Sequence, residues 1–448
     1  MSKYIFHIWG GFILICLPML CHAQYVMTLE DCLEFALKNN PSIKAADYAV
    51  AALEENRKSV RADFLPALSS SYTFSRVSSE SEKGSSVETD YLDQYARSFS
   101  ITLSQTLYAG SRIVNTYDKV KIEKEKKIAD KKLAQLELAF NIQNTFFKLM
   151  KAIQDVKIIA DSVERLQEGV KSARAYLEKE LVAYTEVLTA QVDLADAEQQ
   201  LSISKNDVNR MRVTLFSLMN MPVSNTVIFT GGMGFFPEAY PSDFDRSWQV
   251  ALQNRPDLES LQKEIAVAKK ESEIALGSYL PLVTLNLGYH DQNRDFDEPG
   301  QGVFGQNVDR DQRNRYWSAG VTASWEFFDG GRAWYRKTRS DIVVRQVEEM
   351  IKETQLILKE GIRKALFSIS EAKLRIKDSQ QAVSAATENY KVEKRRLEAG
   401  LTTIPRLLDA QVRLTRASGN HTQAMLDYQL GRSELAFMMG ETYDKVDN

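Results

Sequence analysis

The sequence predicts membrane β-barrel strands combined with very long, coiled-coil-like α-helices, in an arrangement that occurs twice in the chain. Three observations support this fold class. The two halves align at a nearly constant offset. Each half has a long proline-free stretch, which in the second half shows an apolar repeat of about 3.5 residues, and two segments of alternating apolar and small polar residues precede each stretch. With 57 basic and 60 acidic residues, the chain offers no electrostatic footprint for nucleic acid.

The first residues predict export by a signal peptide, residues 1–23. Lys3 supplies the positive end, an apolar stretch covers 5–20, and small residues at the cleavage-defining positions favour cutting before Gln24. The apolar stretch is too short and wrongly flanked for a good membrane-spanning helix. Acylation of Cys21 is the alternative, although the bulky residue before it is untypical of a lipoprotein signal.

The remaining chain predicts no enzyme, no cofactor and no metal site. Only Cys32 stays after signal removal, and the histidines that stay are His290 and His421, neither in a catalytic motif. A few methionines lie close together, and we expect them to pack at helix ends rather than to bind a soft metal: Met219, Met221, Met438 and Met439.

The repeat defines the organisation of the chain. Residue n aligns with n + 215 up to Pro66, which meets Pro281, and with n + 220 from there on. An offset held over this length predicts two halves of one fold. The predicted segments are a first repeat over 24–221, an equatorial linker over 222–242, a second repeat over 243–440 and a tail over 441–448.

Proline placement predicts the long helices. None occurs between Pro66 and Pro222 or between Pro299 and Pro405, and an interior proline would break a helix. The predicted helices cover about 112–178, 185–220, 332–398 and 405–439, and the first would be roughly 100 Å long. In the second half a narrow stripe of apolar or small residues has the coiled-coil period: Ile351, Thr354, Leu358, Gly361, Ala365, Ile369, Ala372, Ile376, Ser379, Val383, Ala386 and Tyr390. Alone, this stripe favours a fibrous coiled coil, which stays an alternative.

Four strands are predicted, over about 67–76, 98–107, 282–290 and 316–327. Each has one apolar face and one face of small polar residues, as a barrel with lipid outside and water inside requires. Trp317 and Trp325 are about 26 Å apart along a strand, close to the height of a membrane apolar band, and are predicted interface aromatics.

A half-buried sheet on a soluble core is the alternative for these strands. The polar faces are mostly Ser and Thr rather than Lys and Glu, and the predicted loops, roughly 76–97 and 290–316, are long and charged, both of which favour the barrel. Four strands cannot close a barrel, so the barrel must be shared between chains.

Several segments, in their order and duplicated spacing, resemble the TolC-like outer-membrane efflux proteins. They are LEDCLEFALKNNPSIK, its repeat VALQNRPDL, the strand-to-helix turns LYAGSR and FFDGGR with Gly110, Gly330 and Gly331, and the segment EAGLTTIPRLLDAQVRL. The resemblance covers nearly all of the mature chain. It implies a homotrimer in the cell outer membrane, in which each protomer gives four strands to a twelve-stranded β-barrel and four long helices to an α-helical barrel that extends into the periplasm.

The resemblance also implies a function: the passive exit duct of a tripartite efflux pump for small molecules. The implied partners are a periplasmic adaptor (membrane fusion protein), an inner-membrane pump of RND or ABC type, and outer-membrane lipid. A duct for type I protein secretion and an envelope-anchored structural coiled-coil protein are the alternatives. Residues around 28–38 and 243–253, with the linker, are expected to form an equatorial belt.

At the periplasmic tip the resemblance implies helix turns at 179–186 and 399–406, in which Glu180 stands opposite a glycine. The implied adaptor-contact residues are Glu180, Leu181, Gly400, Leu401, Thr402 and Thr403. Family members narrow the tunnel here with a pair of aspartates. Asp409 stands at the position of the second aspartate, and Arg406 at the position of the first. In the other half of the chain, Glu186 stands at the position of the first aspartate. The positions of the family's tip lock hold Thr402 and Leu397.

Overall fold

The computed structural model of the chain describes residues 25–83, 88–234, 243–296, 300–301, 307–308 and 311–441. The predicted signal peptide with Cys21, most of the C-terminal tail and part of the equatorial linker lie outside these residues.

Eight helices and eight strands occur within the described ranges. The helices are α1 (Leu29–Asn39), α2 (Pro41–Ala62), α3 (Arg112–Glu178), α4 (Tyr184–Leu218), α5 (Phe244–Asn254), α6 (Pro256–Gly277), α7 (Arg332–Glu398) and α8 (Ile404–Met439). The strands are β1 (Tyr25–Met27), β2 (Ala67–Lys83), β3 (Glu88–Tyr108), β4 (Val227–Phe229), β5 (Leu282–Phe296), β6 (Gly300–Gln301), β7 (Asn307–Val308) and β8 (Gln312–Ser324).

The two longest helices, α3 and α7, have 67 residues each. In α7 the predicted apolar stripe is confirmed. From Leu358 to Ile376 its members are buried, and the flanking members from Ile351 and as far as Tyr390 are partly buried. Small residues let the neighbouring helix come close: a Cβ on Gly361 would lie 2.6 Å from Met438 Sδ of α8.

Helices α2 and α6 were not predicted as separate elements, and both begin at a proline. Asn40 caps α2 by accepting a hydrogen bond from Ser42 N at 2.8 Å, and Pro41 takes the first helical position, where its missing N–H is harmless. Pro256 takes the first position of α6 after Arg255, which ends α5 and makes no side-chain cap. Asparagine or a polar residue before proline was the signal in the sequence that could have revealed both helices.

The main sheet is antiparallel and four-stranded, in the order β2-β3-β5-β8. Its edges are β2 and β8, and every residue of β8 is exposed in the single chain. Separately, β1 and β4 pair in parallel, and β6 pairs with β7. The four-stranded sheet therefore has an open edge on each side.

The sequence prediction of long loops at 76–97 and 290–316 was wrong. Strand β2 continues to Lys83, β3 begins at Glu88, β5 reaches Phe296 and β8 begins at Gln312. Backbone ladder bonds do not need an apolar face, so paired strands can extend beyond the apolar alternation that marks them in the sequence. At its other end, β8 stops earlier than predicted, at Ser324. Trp325 lies just outside the strand and donates its Nε1–H to Tyr279 O at 2.9 Å.

The chain divides into two compact units. One is formed by the described parts of 1–37, 141–235 and 374–429, and holds the two helix hairpins. The other is formed by the described parts of 38–140, 236–373 and 430–448, and holds the four-stranded sheet.

In the sheet-containing unit, α3 lies between α2 and α6 and is joined to both by ion pairs. Those to α2 are Lys124–Glu54 and Lys131–Asp47, and those to α6 are Lys119–Glu271, Lys126–Glu264, Lys132–Glu259, Lys263–Glu125 and Lys270–Asp118. Charged residues therefore close both seams, the one between α3 and α2 and the one between α3 and α6.

Candidate functional site

The first candidate site consists of the two helix hairpins, α3–α4 and α7–α8. Both turns have the same geometry. Leu181 N donates to Tyr176 O at 2.9 Å and Leu401 N to Arg396 O at 2.7 Å, the six-residue bond of a Schellman motif. Its left-handed position holds Glu180 (φ 59°) in the first turn and Gly400 (φ 71°) in the second. The glycine that the first turn lacks is thus replaced by a glutamate in a left-handed conformation.

The turn residues are presented to solvent. Leu181 is 66% exposed and Leu401 is 69% exposed, although both are large and apolar. The Thr402 side chain is fixed by a hydrogen bond to α7, because its hydroxyl donates to Glu393 Oε2 at 2.8 Å. Thr403 accepts the first backbone bond of α8, from Leu407 N at 3.4 Å.

An apolar cluster supports both turns. It comprises Leu166, Val170, Ala173, Val187, Ala190, Leu397, Ile404, Leu407 and Leu408. Tyr176 ties the hairpins together by donating its hydroxyl to Leu397 O at 3.1 Å. Leu397, which stands at a lock position of the family, is therefore a buried packing residue here.

The predicted constriction residues have different surroundings. Glu186 lies in the first turn of α4, where its Oε2 is buried without a hydrogen-bond partner among the described residues. Asp409 is exposed and accepts from Arg413 at 3.1 Å, one turn along α8. Arg406, three residues before Asp409 on α8, is exposed.

Sequence reasoning missed two polar features of this unit. Gln411 is buried and donates to Ser162 O of α3 at 2.8 Å, which joins α8 to α3. On α4, burial raises the pKa of Asp193, and the neighbouring carboxylate of Asp196 raises it further. The spacing of residues in the sequence does not predict the burial of Gln411 or of Asp193, because this burial depends on which flank of the helix packs against a neighbouring helix.

The second candidate site is the four-stranded sheet, whose two faces differ. One face carries small polar side chains that bond across the strands. Ser71 Oγ lies 2.8 Å from Ser100 Oγ, and His290 Nε2 lies 3.1 Å from Ser318 Oγ. A Cβ on Gly288 would lie 2.7 Å from His290 Nε2 and 2.8 Å from Ser318 Oγ, so a larger residue here would require these side chains to move.

The other face is apolar and solvent-exposed in the single chain. Its exposed members are Leu68, Tyr72, Phe74, Phe99, Ile101, Leu287, Trp317 and Val321. A shallow groove of about 420 Å³ on this face is lined by Leu68, Ile101, Leu103, Leu287 and Trp317, among others. Soluble monomers rarely expose an apolar surface of this extent, so the face marks an interaction with another apolar phase or chain.

The predicted strand-to-helix turns occupy left-handed backbone conformations. Gly110 has φ 61° and is followed by Ser111 at 63°, while Gly330 and Gly331 have φ 72° and 85°. Asp329 accepts from Gly331 N at 2.9 Å and from Ala333 N at 2.8 Å, and so caps α7.

Within the described residues no three His, Cys, Asp or Glu side chains come together as a metal site would require. Met219 and Met439 are buried. None of the described helices has a segment apolar and long enough to cross a membrane.

The fold is that of the bacterial outer-membrane channels. The solved structure of the outer-membrane channel OprN superposes with a TM-score of 0.75 at 18% identity, covering 93% of this chain and 90% of that one. In sequence, the chain matches the outer membrane efflux protein family over residues 32–221 and 248–441. It belongs to that family.

Two curated relatives show the range of the family. The alkaline protease secretion protein AprF of Pseudomonas aeruginosa is 22% identical over all of this chain and 90% of its own length. The pyoverdine export outer membrane protein OpmQ of the same species is 20% identical over 89% of this chain and 82% of its own. As a member of this family of channel proteins, the chain is located in the outer membrane.

Proposed function

We propose that three copies of this chain form a passive exit duct through the outer membrane, which exports small molecules as part of a tripartite efflux pump. The observation that carries the proposal is the two-faced sheet with open edges. Its Ser- and Thr-rich face suits a water-filled lumen and its apolar face suits lipid. Open edges cannot face lipid, so pairing of β2 with β8 of the next copy completes the barrel.

In this proposal, the duplicated halves each contribute two strands and two of the long helices, and the helices of three copies form the tunnel into the periplasm. The energy comes from an inner-membrane pump of RND or ABC type. The duct reaches that pump through a periplasmic adaptor, which docks on the exposed turn residues around Leu181 and Leu401. Export of the small molecule pyoverdine by the relative OpmQ supports the choice of cargo class.

Protein secretion is the second candidate function. The relative that spans the whole chain, AprF, is a protease secretion protein. A duct for an unfolded polypeptide and one for small molecules share this architecture, so the pump with which the chain assembles decides between them. Co-purification of the native complex from cross-linked cells would identify that pump.

Conductance in a planar bilayer tests the proposal. The purified protein, with no energy source, is expected to give stable, ohmic single-channel steps. An envelope-anchored structural coiled coil would bind the membrane without conducting. Absence of conductance from trimers that have inserted would refute the duct.

A further inference from the structure

The apolar face of the sheet ends at a sharp boundary on each strand, on the side of the hairpin ends. The side chain changes from aromatic to charged between Phe74 and Arg76 on β2, Phe99 and Arg97 on β3, Tyr289 and Asp291 on β5, and Trp317 and Arg315 on β8. All of these residues share one face, because side chains on a strand alternate with a period of two.

The boundary runs obliquely across the strand register. Phe74 pairs with Arg97, and Phe99 pairs with Asp291, so the boundary shifts by two residues at each of these steps, while Tyr289 pairs with Trp317 and adds no shift. Four residues over three strand steps correspond to a tilt of about 40° at ~3.3 Å per residue and ~4.8 Å between strands. Strands of membrane barrels tilt by about 35–45°. A membrane surface that is level across tilted strands produces this oblique boundary.

The side chains directly beyond the boundary are charged, and among those that the structure describes arginines outnumber aspartates. Arg313 Nη2 and Arg315 Nε both lie 3.2 Å from Asp291 Oδ2, and Arg97 pairs with Asp295. Three guanidinium groups thus share two carboxylates, and their side chains remain 58%, 53% and 49% exposed for Arg313, Arg315 and Arg97 respectively. The carboxylates hold the guanidinium groups in place without neutralising all of them.

A fourth arginine extends the band to the edge strand. Arg76 on β2 lies over the ring of Tyr95, with its guanidinium carbon 5.3 Å from the ring centroid. Stacking on an aromatic face fixes the plane of a guanidinium group. We call Arg76, Arg97, Arg313 and Arg315 the arginine band.

We propose that the arginine band binds the phosphate groups of glycolipid headgroups in the outer leaflet of the outer membrane. The inference rests on the proposed function, since it takes the apolar face to contact lipid. The strand ends that lead into the helices are periplasmic in that arrangement, so the band lies on the outer side. A lipid whose acyl chains cover the aromatic row would place its headgroup at the band.

The residue type fits a phosphate. Arginine presents a planar fork of N–H donors that binds phosphate oxygens in pairs, whereas lysine acts as a point charge. All four cations of the band are arginines. Arg294, on the same strand as Asp291 but on the opposite face, is exposed and offers a matched control.

The test measures lipid bound to purified trimers by native mass spectrometry. Parent, the triple variant R97Q/R313Q/R315Q and the control R294Q are incorporated into phosphatidylethanolamine vesicles that contain lipid A, lipid A without its phosphates, or phosphatidylglycerol. We expect the parent and R294Q to retain lipid A. The triple variant should retain about tenfold less, the loss expected when charge-assisted hydrogen bonds to phosphate are removed. The parent should also retain the dephosphorylated lipid A about tenfold less.

Other outcomes overturn the proposal in distinct ways. Equal retention by the parent and the triple variant, or of lipid A with and without phosphates, would show apolar contact only. Equal retention of phosphatidylglycerol would show general attraction of anionic lipid, and displacement by millimolar inorganic phosphate would show a site for free anions. If the triple variant does not assemble, the comparison of lipids on the parent decides. Trimer mass and conductance, measured on the same samples, report separately on the duct.

Discussion

At the scale of single residues, two glycines beside a strand-to-helix turn bring their backbones close together. A Cβ on Gly277 would lie 2.5 Å from Gly110 O and 2.6 Å from Arg112 Cγ. Because the carbonyl belongs to the backbone, it cannot move aside as a flexible side chain would. We expect Gly277→Ala to destabilise the fold by about 1–3 kcal/mol, the range for overpacked sites. This loss should be measured as a lower thermal unfolding midpoint in detergent.

Gly320→Ala is the matched control, since nothing lies within 4 Å of a Cβ built at that position on β8. It should leave the midpoint nearly unchanged. If both variants unfold at the temperature of the parent, the close approach of Gly110 and Gly277 is not a constraint on the fold.

The lowered pKa of Glu54 predicts how the stability of the fold changes at acidic pH. Its carboxylate accepts from Arg57 on α2 and Lys124 on α3, and these bonds lower its pKa from 4.5 to about 2. A carboxyl whose folded pKa is lowered stabilises the fold fully above its unfolded pKa, and this contribution is lost as the pH falls toward the folded value. We expect Glu54→Gln to lessen the loss of stability between about pH 4.5 and 2, measured by thermal unfolding across that range.

Glu55→Gln is the control for this prediction, because Glu55 is exposed and its ion pair, with Lys58, stays within α2. An E54Q variant whose acid profile matches those of the parent and E55Q would mean that the contact with Lys124 does not couple to folding.

The acidic residues at the tip are expected to affect ion conduction rather than the stability of the fold. In the proposed trimer, three copies each of Glu186 and Asp409 lie near the tunnel axis, and Arg406 and the Asp409–Arg413 pair reduce the field. We expect the double variant E186A/D409N to raise conductance or weaken cation preference, and to reduce block by divalent ions, because a ring of like charges attracts counter-ions. Unchanged single-channel records would place both acids on the outside of the tip.

At the scale of elements, the two hairpin turns share one hydrogen-bond pattern but differ at the left-handed residue. An L side chain costs roughly 1–2 kcal/mol in that conformation, and glycine does not pay this steric cost. We therefore expect Glu180→Gly to raise the unfolding midpoint and Gly400→Ala to lower it. If the two changes shift the midpoint in the same direction, the turns do not adopt equivalent conformations in solution.

The elements show what a single sequence can predict. The proline-free stretches predicted α3 and α7, because an interior proline would break a helix. The 3.5-residue stripe of the second half supported α7, because a buried stripe requires that period. The extent of β2 and β5 could not be predicted, because polar residues leave no apolar alternation where backbone pairing continues. Helices α2 and α6 each begin at a proline, Pro41 and Pro256, which is a signal of a helix start in the sequence.

The positions of the turns were predicted better than the contacts of the side chains around them. Gly400 and the glycines of the strand-to-helix turns adopt the left-handed conformations that glycine favours. The partner of Asp409 was not predictable, because Arg406 and Arg413 lie three and four residues away and both spacings allow pairing. The partial burial of Asp193 likewise depends on the packing of α4, which its sequence spacing does not determine.

At the scale of the whole molecule, the open edges of the sheet are the feature that a single chain leaves incomplete. An exposed edge strand offers unpaired N–H and C=O groups to another strand. Strand β8 has no buried residue, and β2 is exposed over its apolar part. Edge-to-edge pairing of identical chains in a ring closes with every edge satisfied, which open assembly of one or two chains does not achieve.

The central claim is that three chains line one pore, and mixed channels test it most directly. Thr284 lies on the polar face of β5, so Thr284→Lys is expected to change unit conductance without disturbing the lipid face. Parent and variant, differently tagged and refolded together, are recorded as single channels in a planar bilayer. If three chains share a pore, four conductance levels appear, two of them intermediate. A record that shows the two parental levels and no intermediate level would contradict a shared pore.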